Sequence, residues 1–247
     1  LIIGAAKGGT TALYTYLKEH PEVLMSEIKE TNFFAYNPEE KLSVAKRNLF
    51  PVTNLDDYYA LFENARNYKA IGEASPLYLE SPEAAQNIYT MIPNAKLVVS
   101  LRNPVDRAIS GYLMRVRDGE MKLDLKHQFS ADQPYVRNSY YFETLKRYFN
   151  LFSRDQLFVR LYENLNTNPK QTVKELFRFL QIDSTFTPAL ETRHNVGQVP
   201  KSFLLNKIMR NGFLRKVSKT IEPKSVTTID KTVINKNMSP RPDFDAT

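Results

Sequence analysis

An apolar, strand-like run followed by a helix with its own start signal recurs along this chain, and no other feature constrains its fold as strongly. The first pair is Leu1–Ala6, a glycine-containing turn, and then Leu13, Tyr16 and Leu17 at helical spacing. The second joins Lys69–Gly72 to Ser81-Pro82-Glu83, a capping residue with proline at the first helical position, and its helix continues through Ile88 and Ile92. Lys96–Leu101 carries Leu97, Val98 and Val99 in succession, the pattern of a strand covered on both faces. Asn103-Pro104 then opens a helix with Val105, Ala108, Ile109, Tyr112, Leu113 and Val116 on one face. A later strand, Leu157–Leu161, precedes Asn168-Pro169 and a helix whose inner face is Val173, Leu176, Phe177 and Leu180. This alternation predicts parallel βα units. The expected fold is α/β: a three-layer, P-loop-like architecture with a central parallel sheet and helices on both faces. Residues 1–247 are expected to form a single domain, truncated at both ends, with long loops over 118–136 and 183–202 of the kind that often carry function.

Composition narrows the chemistry. There is no cysteine, which excludes disulfides, zinc–thiolate sites and cysteine nucleophiles and fits a reducing, cytoplasmic setting. No apolar run approaches the ~20 residues that span a bilayer, so no membrane segment is expected in this chain. No signal-peptide pattern is present; Leu1 opens within an apolar run, which leaves room for an anchor ahead of it. Thirty-four Lys+Arg against 27 Asp+Glu leave a formal charge of +7, suited to an anionic ligand such as a nucleotide, an acidic glycan or nucleic acid. A nucleic-acid binder would interleave basic and aromatic residues on one element. The basic segment Phe203–Lys219 instead offers Leu204, Leu205 and Ile208 as a packing face, and no nucleic-acid partner is expected.

Gly4-Ala5-Ala6-Lys7-Gly8-Gly9-Thr10-Thr11 lies between the first strand and the first helix. Glycines let the backbone turn tightly and aim N–H groups at an anion. The helix N-terminus adds partial positive charge and Lys7 a full one. A nucleotide kinase needs G-x-x-x-x-G-K-[ST], with lysine after the glycines. Here lysine precedes them. The central strand ends in Arg102, where ATPases usually place an acidic, metal-holding residue. An arginine there suggests a second anion site that needs no metal. Ser110, two turns into the following helix if Asn103 caps it, could add a hydroxyl donor.

These segments resemble the PAPS-dependent sulfotransferases, PAPS being 3′-phosphoadenosine 5′-phosphosulfate. Lys7-Gly8-Gly9-Thr10-Thr11 resembles their 5′-phosphosulfate loop, and Leu101-Arg102-Asn103-Pro104 through Ser110-Gly111-Tyr112 their 3′-phosphate motif. The likeness extends through Glu30-Thr31-Asn32-Phe33-Phe34, Glu73-Ala74-Ser75-Pro76-Leu77-Tyr78, Tyr162-Glu163-Asn164-Leu165, Asn168-Pro169 and Phe179-Leu180, and is nearest to the heparan-sulfate-type and bacterial branch. It implies that Lys7, Gly8, Gly9, Thr10 and Thr11 hold the 5′-phosphosulfate of PAPS and that Arg102 and Ser110 hold its 3′-phosphate. Lys201, in the loop expected to close over the site, joins the cofactor-binding set. The implied reaction is transfer of a sulfuryl group to a hydroxyl or amine on a saccharide, a lipid or a carrier-bound small molecule.

By the same resemblance Glu30 is the general base and Lys7 the residue that stabilises the bridging oxygen. Phe33 and Phe34 are expected to shield the Glu30 carboxylate from water and raise its pKa; the alternative is a solvated charge paired with Lys29 or Lys18. Histidine is the rival base. His20 precedes Pro21 at the end of the first helix and reads as a cap, while His127 and His194 lie in the long loops. Two departures matter. Ala74 stands where the heparan-type enzymes usually carry lysine, and Ser139-Tyr140-Tyr141 replaces a Gly-x-Tyr position. The loops of Lys7, Glu30, Glu73 and Arg102 are expected to converge beyond the carboxyl ends of the strands. The competing readings are a P-loop nucleotide kinase and a non-catalytic nucleotide- or glycan-binding module.

Overall fold

The computed structural model describes residues 1–124, 128–190, 198–200 and 238–240. In chain order its strands and α-helices are β1 Ile2–Gly4, α1 Thr10–Lys18, β2 Val23–Met25, α2 Val44–Arg47, α3 Leu55–Ala60, β3 Ala70–Gly72, α4 Leu77–Glu80, α5 Ala84–Met91 and β4 Leu97–Leu101. They continue with α6 Pro104–Arg117, α7 Pro134–Arg137, α8 Tyr141–Leu151, β5 Leu157–Leu161, α9 Tyr162–Thr167, α10 Pro169–Leu180, β6 Gln198–Pro200 and β7 Met238–Pro240. The chain divides into two compact units, Leu1–Arg107 with Tyr140–His194, and Ala108–Ser139 with Asn195–Thr247.

The first unit is built on parallel strands. β1, β4 and β5 pair in the order β1-β4-β5, and β2 pairs with β3. A parallel bridge between Ile2 and Ala74 joins the two sets, with Ile2 N–H donating to Glu73 C=O (2.9 Å) and Ser75 N–H to Ile2 C=O (3.0 Å). The strand order is therefore β2-β3-β1-β4-β5, and every carboxyl end lies at one edge.

Both faces of this sheet are covered. Side chains alternate along a strand: Ile3, Leu97, Val99 and Leu157 enter one core with Tyr78, Leu79, Ala85, Ile88 and Tyr148 from α4, α5 and α8. Ile2, Val98 and Phe158 enter another with Leu13, Tyr16 and Leu17 of α1 and Val173, Leu176 and Phe177 of α10. That double coverage is the reason the β4 sequence reads as unbroken apolar residues. Asn103 accepts N–H bonds from Val105 (3.0 Å) and Asp106 (3.3 Å) and so caps α6, and Asn168 accepts from Gln171 (3.3 Å) at the start of α10. Val105 differs from expectation: it is 67% exposed, and the buried apolar residues of α6 begin with Ala108.

In the second unit Tyr112, Leu113 and Val116 of α6 cluster with Tyr135 of α7, and β6 pairs antiparallel with β7.

Candidate functional site

Parallel strands deliver their following loops to a single edge. β1 leads into Ala5–Gly9, β2 into the segment holding Glu30, β3 into Glu73 and β4 into Arg102. The loop after β1 is bonded down at both ends. Ala5 N–H donates to the Ser100 carbonyl of β4 (2.9 Å), and Gly8 N–H donates back to Ala5 C=O (2.9 Å). Gly8 lies so close to β4 that a Cβ there would come within 2.2 Å of the Ser100 oxygen. Gly9 takes φ 83°, and its Cα packs under the Tyr162 ring, where a Cβ would fall 2.7 Å from a ring carbon. Bonding within α1 begins with Ala12 and Leu13 donating to Gly9 C=O (3.0 and 3.2 Å). Thr10 and Thr11 therefore supply first-turn N–H groups that have no carbonyl four residues back in the helix, the feature that lets helix N-termini receive anions. Thr10 is buried and Thr11 half-buried.

Arg102 stands over this loop. Its Nη1 donates to Lys7 C=O across a long 3.4 Å, and its guanidinium lies 5.0 Å from the centroid of the Tyr162 ring. One tyrosine thus packs against both Gly9 and Arg102. Tyr141 donates its hydroxyl to Arg102 C=O (3.0 Å), and Glu163 accepts the Asn103 N–H (2.9 Å) at the α6 N-terminus. Arg107, one turn further on, is buried: Nη2 meets Glu80 Oε1 at 2.6 Å and Nε donates to Ala6 C=O at 3.3 Å. Arg107, Tyr141 and Tyr162 lie in segments that the family likeness covers, but sequence did not indicate the contacts that they and Glu80 make, since each acts across a long chain separation.

Lys7 (φ 71°) and Glu30 (φ 64°) both adopt left-handed backbone, as do Asn32 and Gln181. Such conformations cost about 1–3 kcal/mol each and concentrate at functional positions. Glu30 N–H donates to Ala74 C=O (2.9 Å), which ties its segment to the sheet edge. Its side chain is 53% exposed and pairs with Lys29 (Nζ to Oε1, 2.6 Å). The phenylalanines do not shield it. Phe34 is buried against Tyr58 and Tyr78, and Phe33 stacks on Tyr58 at 4.5 Å, so both rings turn into the core.

Glu73 lies under this segment and is fully buried. Ser75 donates to its Oε2 (2.7 Å), and Ser75 Oγ in turn accepts Asn32 N–H (3.0 Å). Burial pushes the Glu73 carboxyl above the usual carboxylate range, against the opposing pull of the Tyr78, Ser75 and Thr31 hydroxyls. Among the described residues its Oε1 accepts no hydrogen bond. Ala74 is buried in the other core, so the lysine position of the heparan-type pattern holds a packing residue here.

Ser110 is half-buried and belongs to the second unit. Lys201, His127 and His194 lie outside the described residues. His20 is structural: Nδ1 accepts Glu22 N–H (3.1 Å), which leaves the proton on Nε2 for Asp183 C=O (2.9 Å). Among the described residues no group of three or more His, Asp or Glu side chains is placed to hold a metal ion, and no helix is long and apolar enough to cross a membrane.

A family model described as a sulfotransferase domain matches residues 1–238. The human heparan sulfate glucosamine 3-O-sulfotransferase 6 is 39% identical over 112 residues, 45% of this chain and 29% of that protein. The human bifunctional heparan sulfate N-deacetylase/N-sulfotransferase 3 is 27% identical over 202 residues, 74% of this chain and 22% of that protein. The chain thus spans between a fifth and a third of the length of the curated relatives it matches. The crystal structure of a sulfotransferase from Alicyclobacillus acidocaldarius superposes with a TM-score of 0.69 at 34% identity, covering 78% of this chain and 85% of that one.

Proposed function

The chain belongs to the sulfotransferase domain family, and from that premise we propose that it transfers a sulfuryl group from PAPS to a hydroxyl or amine acceptor. The observation that supports the reading is the seating of the glycine loop on β4 beside Arg102, the two elements of different origin to which this reading assigns the anions. A cradle that a Cβ would fill, N–H groups at a helix start and a lysine suit a phosphosulfate better than an uncharged ligand. Its two units act as one sulfotransferase domain in this reading, in a cytoplasmic setting that fits the absence of cysteine.

When bound, PAPS supplies a sulfuryl group on a phosphate leaving group. Lys7, Gly8, Gly9, Thr10 and Thr11 hold the 5′-phosphosulfate; Arg102 and Ser110, joined by Lys201, hold the 3′-phosphate. Glu30 takes the proton from the acceptor's hydroxyl or amine as that atom attacks sulfur in line. Its half-exposed carboxylate can be reached by an acceptor, which a buried one could not. The Lys7 ammonium offsets the charge that grows on the oxygen released from sulfur.

A saccharide is the favoured acceptor class, since the named relatives act on heparan sulfate at both oxygen and nitrogen. Ala74 in place of lysine argues for an acceptor less heavily sulfated than theirs. The test is labelled PAPS with a panel of saccharides, lipids and carrier-bound small molecules, scoring transfer against background hydrolysis. Label should appear in a hydroxyl or amine product. Phosphoryl transfer from ATP with no sulfuryl transfer would overturn the reading.

A further inference from the structure

Arg107 lies outside the glycine loop and the 3′-phosphate pair, yet it is 4% exposed and bonded to the loop itself. A buried guanidinium is costly unless paired, and this one is paired to Glu80 at the end of α4. With that ion pair made, its Nε donates to the Ala6 carbonyl. The peptide between Ala6 and Lys7 is a rigid trans plane, so its C=O and N–H point in opposite directions. Holding the Ala6 carbonyl toward Arg107 therefore holds the Lys7 N–H on the far side, and it fixes the plane from which the left-handed Lys7 departs.

We propose that Arg107, itself held by Glu80, is a positioning residue that sets the orientation of the phosphosulfate loop at the Ala6–Lys7 peptide. The proposal rests on the reading of that loop as the 5′-phosphosulfate site. The geometry needs a planar fork: Nη2 of the guanidinium meets the carboxylate while Nε meets the carbonyl. A lysine reaches Glu80 as a point charge but has no second donor fixed toward Ala6. Arg107→Lys therefore keeps the buried ion pair and gives up the grip on the loop.

The loop serves the 5′ group, so loss of the grip weakens adenosine 3′,5′-bisphosphate and AMP alike, whereas loss of a 3′-phosphate contact weakens only the first. Calorimetry with both nucleotides on Arg107→Lys reads the difference. The expected result is a fall of about 10-fold in both affinities with their ratio kept, the size typical of one hydrogen bond to a charged group, and a melting temperature close to that of the parent. Arg107→Gln combined with Glu80→Gln removes the charges together, avoids a buried unpaired ion, and should show the same equal loss. Unchanged affinities in these folded variants would overturn the proposal and leave Arg107 a stabilising residue only. Loss confined to the bisphosphate would overturn it too, by making Arg107 a 3′-phosphate ligand. Lys7→Ala separates the premise from the inference. If it leaves both affinities untouched, the loop is not the phosphosulfate site and the proposal falls with it; if it weakens both while the Arg107 variants do not, the proposal alone fails.

Discussion

Gly8 packs against the carbonyl of Ser100 so closely that a Cβ would lie 2.2 Å from that oxygen. The obstacle is backbone in the middle of a buried parallel sheet, which cannot swing aside like the tip of a side chain. The same oxygen accepts the Ala5 N–H, so the loop has no room to rise without giving up its anchor. Gly8→Ala should cost about 1–3 kcal/mol of stability, the usual range for overpacking. It should also weaken adenosine 3′,5′-bisphosphate at least ~10-fold, the loss expected from one charged hydrogen bond. Urea melts and calorimetry measure the two effects. Binding that survives intact in a destabilised variant would place the nucleotide somewhere other than this loop.

Two separated anion sites imply a nucleotide preference. The parent protein should bind adenosine 3′,5′-bisphosphate well above AMP, and Arg102→Ala should erase most of that preference, about 10- to 100-fold, by removing a charged donor. AMP affinity should move far less, although Arg102 touches the Lys7 carbonyl. A preference that persists in Arg102→Ala would remove the 3′-phosphate assignment.

The strand-and-helix alternation was legible because each βα unit writes itself in local pattern: Leu157–Leu161 is β5 to the residue, and Asn103 and Asn168 cap the helices they precede. Periodicity tells which face of a helix a residue lies on but not where along it the packing partner stops, so Val105 fits the apolar face of α6 and is still exposed. β2, only Val23–Met25, is too short for any period to register. Of the candidate site, the glycine loop and Arg102 could be read from residue type and placement. Tyr162 over Gly9, Arg107 on Ala6 and the inward turn of Phe33 and Phe34 could not. Each depends on contacts made between distant parts of the chain, which sequence spacing does not encode.

Glu73 gives the fold a pH dependence of unusual sign for a carboxylate. Burial raises its folded value above the ordinary 4.5. Above that pH the unfolded chain sheds the proton while the folded chain keeps it, so the folded state binds more protons and stability falls as pH rises through the window. Glu73→Gln cannot titrate. Its melting temperature relative to the parent should climb as pH rises above about 4.5, the ordinary value. The slope of that difference is the readout, because an amide meets the same buried surroundings at every pH. A flat difference would mean that Glu73 ionises in the folded protein as readily as in the unfolded one.

Among the described residues Glu30 and Lys7 are the two charged ones held in left-handed backbone, and they should fail in different ways when replaced. Glu30→Gln keeps the size of the side chain and its N–H bond to Ala74, but it cannot take the acceptor's proton. Positioned bases contribute about 10²–10⁴-fold, so single-turnover transfer should drop by that much. Bisphosphate affinity should barely change, since the phosphates are assigned to the glycine loop and Arg102. The Lys29 pairing predicts a second signature: Lys29→Ala releases the carboxylate from its 2.6 Å ion pair and should alter transfer far less than Glu30→Gln does. Lys7→Ala should lower both bisphosphate affinity and transfer, because a cation beside the phosphosulfate acts in the ground state and in the transition state. The decisive comparison is transfer and bisphosphate binding measured side by side on each variant, with the acceptor found in the panel. Near-full transfer by Glu30→Gln, together with its abolition in His127→Ala or His194→Ala, would assign the base to a histidine and remove Glu30 from the chemistry.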